Sequence, residues 1–202
     1  MQLAESSDAY KDEPYVFTST GRRFYLNNPE FFIDDVAHAL CNNVRFNGHI
    51  RFPYSIGQHS MLVAHIVEQL IGPDIRSKRA VMLEGLLHDA NEAYLTDIPS
   101  PFKQLLPDWR AIDKHLELAM RAQFGLPPER HPLVTQADWY ALFMEANLLL
   151  PPDASKHFKD PHGLRDPALE MMYDLQLHEE IQPMRLERDV HNFWAMFGEL
   201  RK

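Results

Sequence analysis

The adjacent pair His88-Asp89, inside the apolar segment GLLHDANEAYLTDIP, combines two metal-binding side chains in one place. Glu92 follows His88 by four residues, which on a helix places it one turn further along the same face. Burying an unpartnered carboxylate against an apolar core is costly, and a bound metal ion removes that cost. We therefore predict that this pair forms the centre of a hydrolytic metal site.

Two residues elsewhere in the chain can complete such a site. His59 and Asp138 each share a helical face with apolar residues, so both are expected to point inward. Two imidazoles and two carboxylates suit a six-coordinate first-row divalent ion and leave positions open for water and a substrate oxygen. Taken singly, His59 reads as a hydrogen-bonded core histidine, and Asp138 as a helix cap or the partner of an arginine. Their combination with His88-Asp89 favours the metal site.

Glu92 and Asp97 are the candidate catalytic residues. A carboxylate beside a metal-bound water helps to form hydroxide at neutral pH, and a second carboxylate can manage the proton of the leaving group. The structural alternatives are a solvated glutamate at a helix end for Glu92 and an N-cap or Asx turn before Ile98-Pro99 for Asp97.

The segment 43–55 has an unusual content of arginine and aromatic residues for a loop, and it supplies most of the candidate substrate contacts. Cationic side chains suit phosphate or sugar oxygens, and apolar ones can form a wall for a base. In the alternative interpretation the arginines face solvent and the aromatic residues pack onto the core. The candidates are Arg45, Phe46, Ile50, Arg51 and, further along the chain, Lys103.

Composition limits the classes of protein to which this chain can belong. It has 202 residues, 45% of them hydrophobic, which is enough for one domain with a substantial core. The net charge of −9, without a basic block, argues against binding to duplex nucleic acid. No apolar stretch is long enough for a membrane span, the N-terminus lacks a secretory apolar region, and Cys41 has no second cysteine to pair with. We expect a cytoplasmic protein.

Hydrophobic periodicity predicts an all-α single domain over residues 15–202 that follows an N-terminal tail, 1–14. A short hairpin or an irregular segment is expected within 14–32, a helix from Phe31 and a loop over 43–55. Ser55 precedes the first strong amphipathic run, and Gly72-Pro73 ends it. Further on, Pro99 and Pro101 forbid a continuous helix. From Ser55 onward, the predicted helical segments are 56–71, 78–94, 108–124, 132–149, 167–179 and 184–200.

The order His59, then His88-Asp89, then Asp138 resembles the signature of the HD-domain metal-dependent phosphohydrolases. The stretch LLHDANEAYLTDIPSPFK resembles a motif block of the deoxynucleotide 5′-nucleotidase branch, and IDDVAHALCNNVRFNGHIRFPYSIGQHS is similar to the corresponding part of small bacterial and phage members. The phage dATP triphosphohydrolases look most similar in size and layout. The resemblance covers roughly residues 15–150, and it implies an HD-domain helical bundle.

Carried over by position, the resemblance implies a role for each candidate. His59, His88, Asp89 and Asp138 would be the metal ligands, and Glu92 and Asp97 the catalytic acids. Arg45 falls near an arginine that contacts sugar and phosphate, with Phe46 where a tryptophan is common, and Lys103 matches a lysine close to the phosphates. The cofactor implied is a divalent ion, either Co²⁺, Mn²⁺, Zn²⁺ or Mg²⁺.

The resulting expectation is a phosphohydrolase that attacks the α-phosphorus of a deoxynucleotide, with dATP as the favoured substrate and nucleoside and triphosphate as products. One alternative is a 5′-nucleotidase acting on deoxynucleoside monophosphates. Another is a nucleotide-binding regulator without catalysis, and a third is a purely structural ion. Self-association as a dimer or hexamer is expected, since the C-terminal segment contains Phe193, Trp194, Met196 and Phe197; the alternative is that these residues pack across the domain's own core. If the protein is phage-encoded, its location would be the host cytoplasm.

Overall fold

The structure is a computed structural model that describes residues 13–72 and 78–202. Most of the predicted tail, residues 1–12, lies outside the described residues, as does Pro73 of the predicted helix stop.

A small antiparallel hairpin opens the described chain. Strand β1 (Tyr15–Phe17) pairs with β2 (Arg23–Tyr25), and Val16 lies opposite Phe24. Gly21 allows the connecting turn because it adopts φ +82°, a conformation that costs glycine little. The hairpin predicted within 14–32 is confirmed.

The rest of the described chain is mostly helical, which confirms the predicted fold class. Short 3-10 helices occur at Arg45–Gly48, Ala154–His157 and Leu177–Glu179. The α-helices of the described residues are α1 (Ile33–Asn42), α2 (Ile56–Leu70), α3 (Lys78–Leu87), α4 (Glu92–Leu95), α5 (Ser100–Lys103), α6 (Pro107–Phe124), α7 (Pro132–Leu149), α8 (Arg165–Asp174) and α9 (Leu186–Leu200).

Helix α2 is the central element of the fold. Its first turn is fixed by a capping box, in which the Ser55 hydroxyl accepts from the Gln58 backbone N–H and the Gln58 side chain accepts from the Ser55 N–H. The helix packs against α1, α3, α7 and α9. Val63 and Ile66 belong to an apolar cluster shared with α7, and Ala64 belongs to a second cluster that includes α1, α3 and α6. Because its surroundings are apolar on both sides, the polar residues of α2 that point inward need specific partners.

Gly85 allows α3 to lie close to α2. A Cβ atom there would lie 3.3 Å from both the Ala64 Cα and the Val67 Cγ2. The Lys78 ammonium lies 3.2 Å from a Glu68 carboxylate oxygen, so the two helices run antiparallel. His88, three residues after Gly85, therefore lies against the first half of α2, which carries His59.

The predicted helix 78–94 is wrong in its second half, since α3 ends at Leu87. The His88 ring nitrogen Nδ1 lies 2.7 Å from the Gly85 carbonyl oxygen, which is the acceptor that a continuing helix would offer to the Asp89 N–H. The following amides bond three residues back instead, as Glu92 does to the Asp89 carbonyl at 2.9 Å. The chain tightens into turns before α4. His88 and Glu92 are therefore not on one continuous helix face.

The later helices follow the prediction more closely. Helices α6, α7 and α9 match the predicted segments 108–124, 132–149 and 184–200 within two residues at each end. The predicted segment 167–179 is divided instead, because α8 ends at Asp174 and Gln176 adopts φ +56° before the short 3-10 helix. Within residues 13–72 and 78–202, no helix combines the length and apolar character that a membrane crossing requires.

The buried Asp35 carboxylate joins the hairpin to α1. It accepts hydrogen bonds from the Ser19 hydroxyl at 2.9 Å, from the Thr20 backbone and hydroxyl at 3.0 and 2.9 Å, and from the Arg22 guanidinium at 2.8 Å. Burial alone would raise the pKa of Asp35, but these donors outweigh it and lower the pKa below its ordinary value.

Asp35→Asn is expected to destabilise the protein by about 2 kcal/mol at pH 7, because hydrogen bonds to a charged group are worth about 1.5–3 kcal/mol. A pKa that is lower in the folded state contributes stability above the unfolded value of about 3.9 and loses it as the pH falls through the folded value. The difference between wild type and variant, measured by urea unfolding, should therefore shrink from pH 7 to pH 3. A difference that is constant over that range would contradict the prediction.

Candidate metal centre

Four side chains from three separate parts of the chain meet at one point. The Nε2 atoms of His59 and His88 lie 3.3 Å apart. The Asp138 Oδ1 lies 3.3 Å from the first and 3.8 Å from the second, and the Asp89 Oδ2 lies 3.8 Å and 3.0 Å from them. His59, His88 and Asp89 form a group with the spacing of metal ligands, and Asp138 lies within 3.8 Å of both histidine nitrogens. All four predicted ligands are brought together.

The far nitrogen of each ring is already hydrogen-bonded. His59 Nδ1 lies 2.8 Å from the Glu145 Oε1, and His88 Nδ1 lies 2.7 Å from the Gly85 carbonyl oxygen. An Nδ1–H that donates in this way leaves the Nε2 lone pair of a neutral ring free, and partners of this kind orient histidine ligands in metal sites. Two such lone pairs pointing at each other repel unless a proton or a metal ion lies between them. The donor set therefore fits a divalent ion.

Charge at the site favours the ligand form of both carboxylates. Burial opposes ionisation, but the two histidines lower the pKa of Asp138 to about 2, and His88 holds the pKa of Asp89 well below its usual range. The Asp89 and Asp138 side chains are 20% and 35% exposed, whereas both histidines are fully buried. The histidines form the floor of the site, and the carboxylates form the side that faces solvent.

His59 carries a proton at neutral pH until a cation replaces it. Burial and the positive charge of Arg45 lower its pKa, but Glu145 and Asp138 outweigh them and raise the pKa of His59 to about 9. Binding of a divalent ion would release that proton, so metal affinity should increase with pH.

Glu92 lies beside the four-ligand cluster with its carboxylate buried. Its Oε1 accepts from the Lys103 ammonium at 2.7 Å, and its Oε2 is buried without a hydrogen-bond partner. Burial, and after it the negative charges of Asp89 and Asp97, raise the pKa of Glu92 to about 8 despite Lys103. A cation held by the cluster would act against those charges and favour the ionised form. Glu92 is therefore placed and poised to exchange a proton near neutral pH.

Arg45 is positioned by the loop that precedes α2. Its backbone N–H donates to the Tyr54 carbonyl at 2.9 Å, and its Nε donates to the Glu145 Oε2 at 2.9 Å. Glu145 thus joins Arg45 to His59, since its other oxygen accepts from the histidine. The guanidinium also lies within electrostatic reach of Asp97. Arg45 supports the site from behind His59, which is a different position from the sugar and phosphate contact expected for it.

The other predicted substrate-binding residues of the segment 43–55 are less closely connected to the four-ligand cluster. Phe46 and Ile50 are half-buried against the apolar cluster of α2 and α7, and the Phe46 ring meets Phe158 edge to face at 6.4 Å. The Arg51 side chain is exposed, and its backbone N–H donates to the Leu149 carbonyl. Phe46 and Ile50 therefore follow the alternative interpretation, in which these residues pack onto the core.

Two charged residues of the site, Glu145 and Arg130, were not predicted from the sequence to have a role. Glu145 orients His59, and its spacing of seven from Asp138 on α7 was the signal that it shares that face. Arg130 reaches the Asp89 and Asp138 carboxylates from the connection before α7, and no spacing rule indicates it.

Thr96 holds a strained backbone between Glu92 and Asp97. It adopts φ 64° and ψ 163°, a region that only glycine occupies freely, and it is β-branched. Such conformations cost of order 1–3 kcal/mol and concentrate at functional sites. The strain fixes the direction in which the chain leaves α4 and thereby the position of Asp97.

Thr96→Gly is expected to raise the free energy of unfolding by about 1 kcal/mol, because relief of the strain exceeds the added chain entropy of glycine. Thr96→Ala retains a Cβ atom and should give no such gain. Urea unfolding of the two variants separates the effects, and equal stability of both would show that the Cβ atom is not the cause.

No protein-family model matches the chain. It is 36% identical to the uncharacterized protein YfdR of Escherichia coli K12 over 134 residues, which cover 65% of this chain and 70% of YfdR. It is also 34% identical to the uncharacterized protein RCAP_rcc00048 of Rhodobacter capsulatus over 114 residues, which cover 54% of this chain and 57% of that protein. At this identity and coverage the chain belongs to the same family as YfdR.

Proposed function

We propose that the protein is a metal-dependent phosphohydrolase that acts on deoxynucleotides. The observation that carries the proposal is the convergence of two histidine Nε2 atoms and two carboxylate oxygens, with the buried Glu92–Lys103 pair beside them. A structural ion would need closed ligation. The partly exposed Asp89 and Asp138 instead leave one side of the cluster open to a ligand.

The reaction would be attack of water on the α-phosphorus and cleavage of its bond to the 5′-oxygen. A divalent ion held by the four ligands would polarise a phosphoryl oxygen and lower the pKa of a bound water. Glu92 would orient the attacking water and take its proton, and Asp97 would assist departure of the 5′-oxygen, which gains a proton as it leaves. The roles of Glu92 and Asp97 could also be exchanged.

Lys103 has a double role in this proposal. Its ammonium lies 2.7 Å from Glu92, which keeps the carboxylate in place, and the side chain is 25% exposed, so it can also meet a phosphate oxygen. Lysine acts there as a point charge that balances the negative charge of the substrate.

A deoxynucleoside triphosphate, with dATP first, is the proposed substrate, and the products would be the nucleoside and triphosphate. Two partly exposed cationic side chains near the cluster, Lys103 and Arg130, suit a polyphosphate better than a monophosphate. A deoxynucleoside monophosphate, which would yield nucleoside and phosphate, is the second candidate, because the motif around His88-Asp89 resembles that branch as well.

Product analysis tests the proposal. The protein is incubated separately with each dNTP, NTP and dNMP in the presence of Mg²⁺, Mn²⁺, Co²⁺ or Zn²⁺, and nucleoside, phosphate, pyrophosphate and triphosphate are resolved. Intact triphosphate from a dNTP identifies a triphosphohydrolase, and phosphate from a dNMP identifies a 5′-nucleotidase. Metal and nucleotide binding without turnover would favour a non-catalytic regulator and contradict the proposal.

Self-association and a cytoplasmic location complete the proposal. On α9 the Phe193 side chain is fully buried in the domain's own core, whereas Trp194 is 54% exposed. Trp194 is therefore the most exposed member of the C-terminal apolar set and is available to a second copy. Size-exclusion chromatography with light scattering distinguishes a monomer from a dimer or hexamer.

A further inference from the structure

Arg130 lies on the solvent-facing side of the four-ligand cluster. It precedes His131, the residue at the N-cap of α7. Its NH2 donates to the His88 carbonyl oxygen at 3.2 Å, so the guanidinium is attached to the turn that carries two of the ligands. Its NH1 lies 3.5 Å from the Asp138 Oδ2, and its NH2 lies 3.8 Å from the Asp89 Oδ1.

The two carboxylates divide their oxygens between Arg130 and the histidines. Asp138 turns Oδ1 toward His59 and Oδ2 toward Arg130. Asp89 turns Oδ2 toward His88 and Oδ1 toward Arg130. In both residues one oxygen faces the point shared by the ligands, and the other faces the same guanidinium.

Arginine is suited to this position by its shape and charge. Its planar fork spans two acceptors at a fixed separation, which an ammonium group does not. The separations of 3.5 and 3.8 Å are ion-pair distances, so Arg130 acts on the carboxylates mainly through charge. It also offsets part of the repulsion between two carboxylates that point to one place.

We propose that Arg130 is a positioning residue for the metal centre. By attracting the outer oxygens of Asp89 and Asp138, it leaves each carboxylate one oxygen for the ion. This inference rests on the proposed function, because it requires that the cluster binds a divalent ion. Arg130 acts through the two ligands and not on the reacting atoms.

Binding of Co²⁺ tests the role of Arg130 without reference to turnover. Calorimetry should show that Arg130→Gln binds Co²⁺ about 10–100-fold more weakly than wild type, the range found when a residue that supports metal ligands is lost. The visible spectrum of bound Co²⁺ should change as well, because carboxylates released from Arg130 can coordinate through both oxygens. Arg110→Gln, at an exposed position on α6, is the matched control and should bind as wild type does.

Two further variants separate positioning from a general effect on the fold. Arg130→Lys keeps the charge without the fork and should weaken binding less than Arg130→Gln. In an Asp138→Asn background, Arg130→Gln should have a smaller effect, since one of its two partners is already altered. Should Arg130→Gln not fold, the lysine variant decides the matter through affinity and spectrum.

The outcomes distinguish the two proposals. If the wild-type protein binds no divalent ion, the proposed function fails, and the role of Arg130 fails with it. If wild type binds Co²⁺ and the Arg130 variants bind it with unchanged affinity and spectrum, only the positioning role is overturned.

Discussion

Asp89→Ala is expected to lower kcat/KM for the proposed deoxynucleotide substrate by at least about 10³-fold, a loss of roughly 4 kcal/mol of transition-state stabilisation. Its Oδ2 is the carboxylate oxygen nearest to the His88 Nε2, at 3.0 Å, so its removal leaves the proposed ion one ligand short. The change also raises the net charge of the site by one unit. Metal affinity should therefore fall together with turnover.

The fold should survive this substitution. Asp89 is half-buried in the turn between α3 and α4, and its backbone carbonyl, which accepts from the Glu92 N–H, is retained in alanine. Circular dichroism should show an unchanged helical spectrum. Asp166→Ala, at an exposed aspartate in the first turn of α8, is the control and should retain activity. Full activity of Asp89→Ala in the presence of saturating metal would rule out the assigned site.

The inward position of His59 was predictable because its signal is local. On α2 it shares a face with residues that pack into the core, and 3.6-residue periodicity carries that information in the sequence alone. Asp138 on α7 follows the same rule, although its place at the end of an apolar face leaves it 35% exposed. Regular helices thus allowed two of the four proposed ligands to be placed from spacing.

The turn at His88 was not predictable from periodicity. It depends on the His88 side chain, which donates to the backbone carbonyl of Gly85, and helix propensities do not account for that hydrogen bond. The consequence is favourable for the site, because the tighter turn brings the Asp89 carboxylate beside the His88 ring, where a continuous helix would direct the two neighbours apart.

The residues that surround the ligands were the least predictable. Arg45 reaches Glu145 across 100 positions of sequence, and Arg130 reaches the turn at His88 across 42. Contacts of this kind are set by how α7 packs on α2 and α3, and no local pattern encodes them. The resemblance to HD-domain phosphohydrolases implied a position near the substrate for Arg45, whereas in the structure its Nε donates to Glu145.

Arg121→Ala is expected to be the most destabilising single substitution considered. The guanidinium is fully buried, donates to the Glu84 carboxylate at 2.8 Å and also donates to the Pro127 and Glu129 carbonyls. Removal of one partner of a buried ion pair leaves an uncompensated charge and costs about 3–5 kcal/mol. That is a large share of a typical unfolding free energy of about 5–15 kcal/mol. Thermal unfolding followed by circular dichroism should show a midpoint lowered by roughly 10 °C.

The double variant Glu84→Gln/Arg121→Met tests whether the stranded charge is the cause. It removes both charges and approximately keeps the volume, and the new amide oxygen can still accept from the His131 N–H, which Glu84 accepts at 2.7 Å in the wild type. Most of the lost stability should return, because well-packed neutral replacements of a buried pair are often neutral or stabilising. A loss below about 1 kcal/mol in Arg121→Ala would contradict the argument. Since Arg121 holds the carbonyls at 127 and 129, its loss should also loosen the connection that carries Arg130, and Co²⁺ affinity should fall in both the single and the double variant.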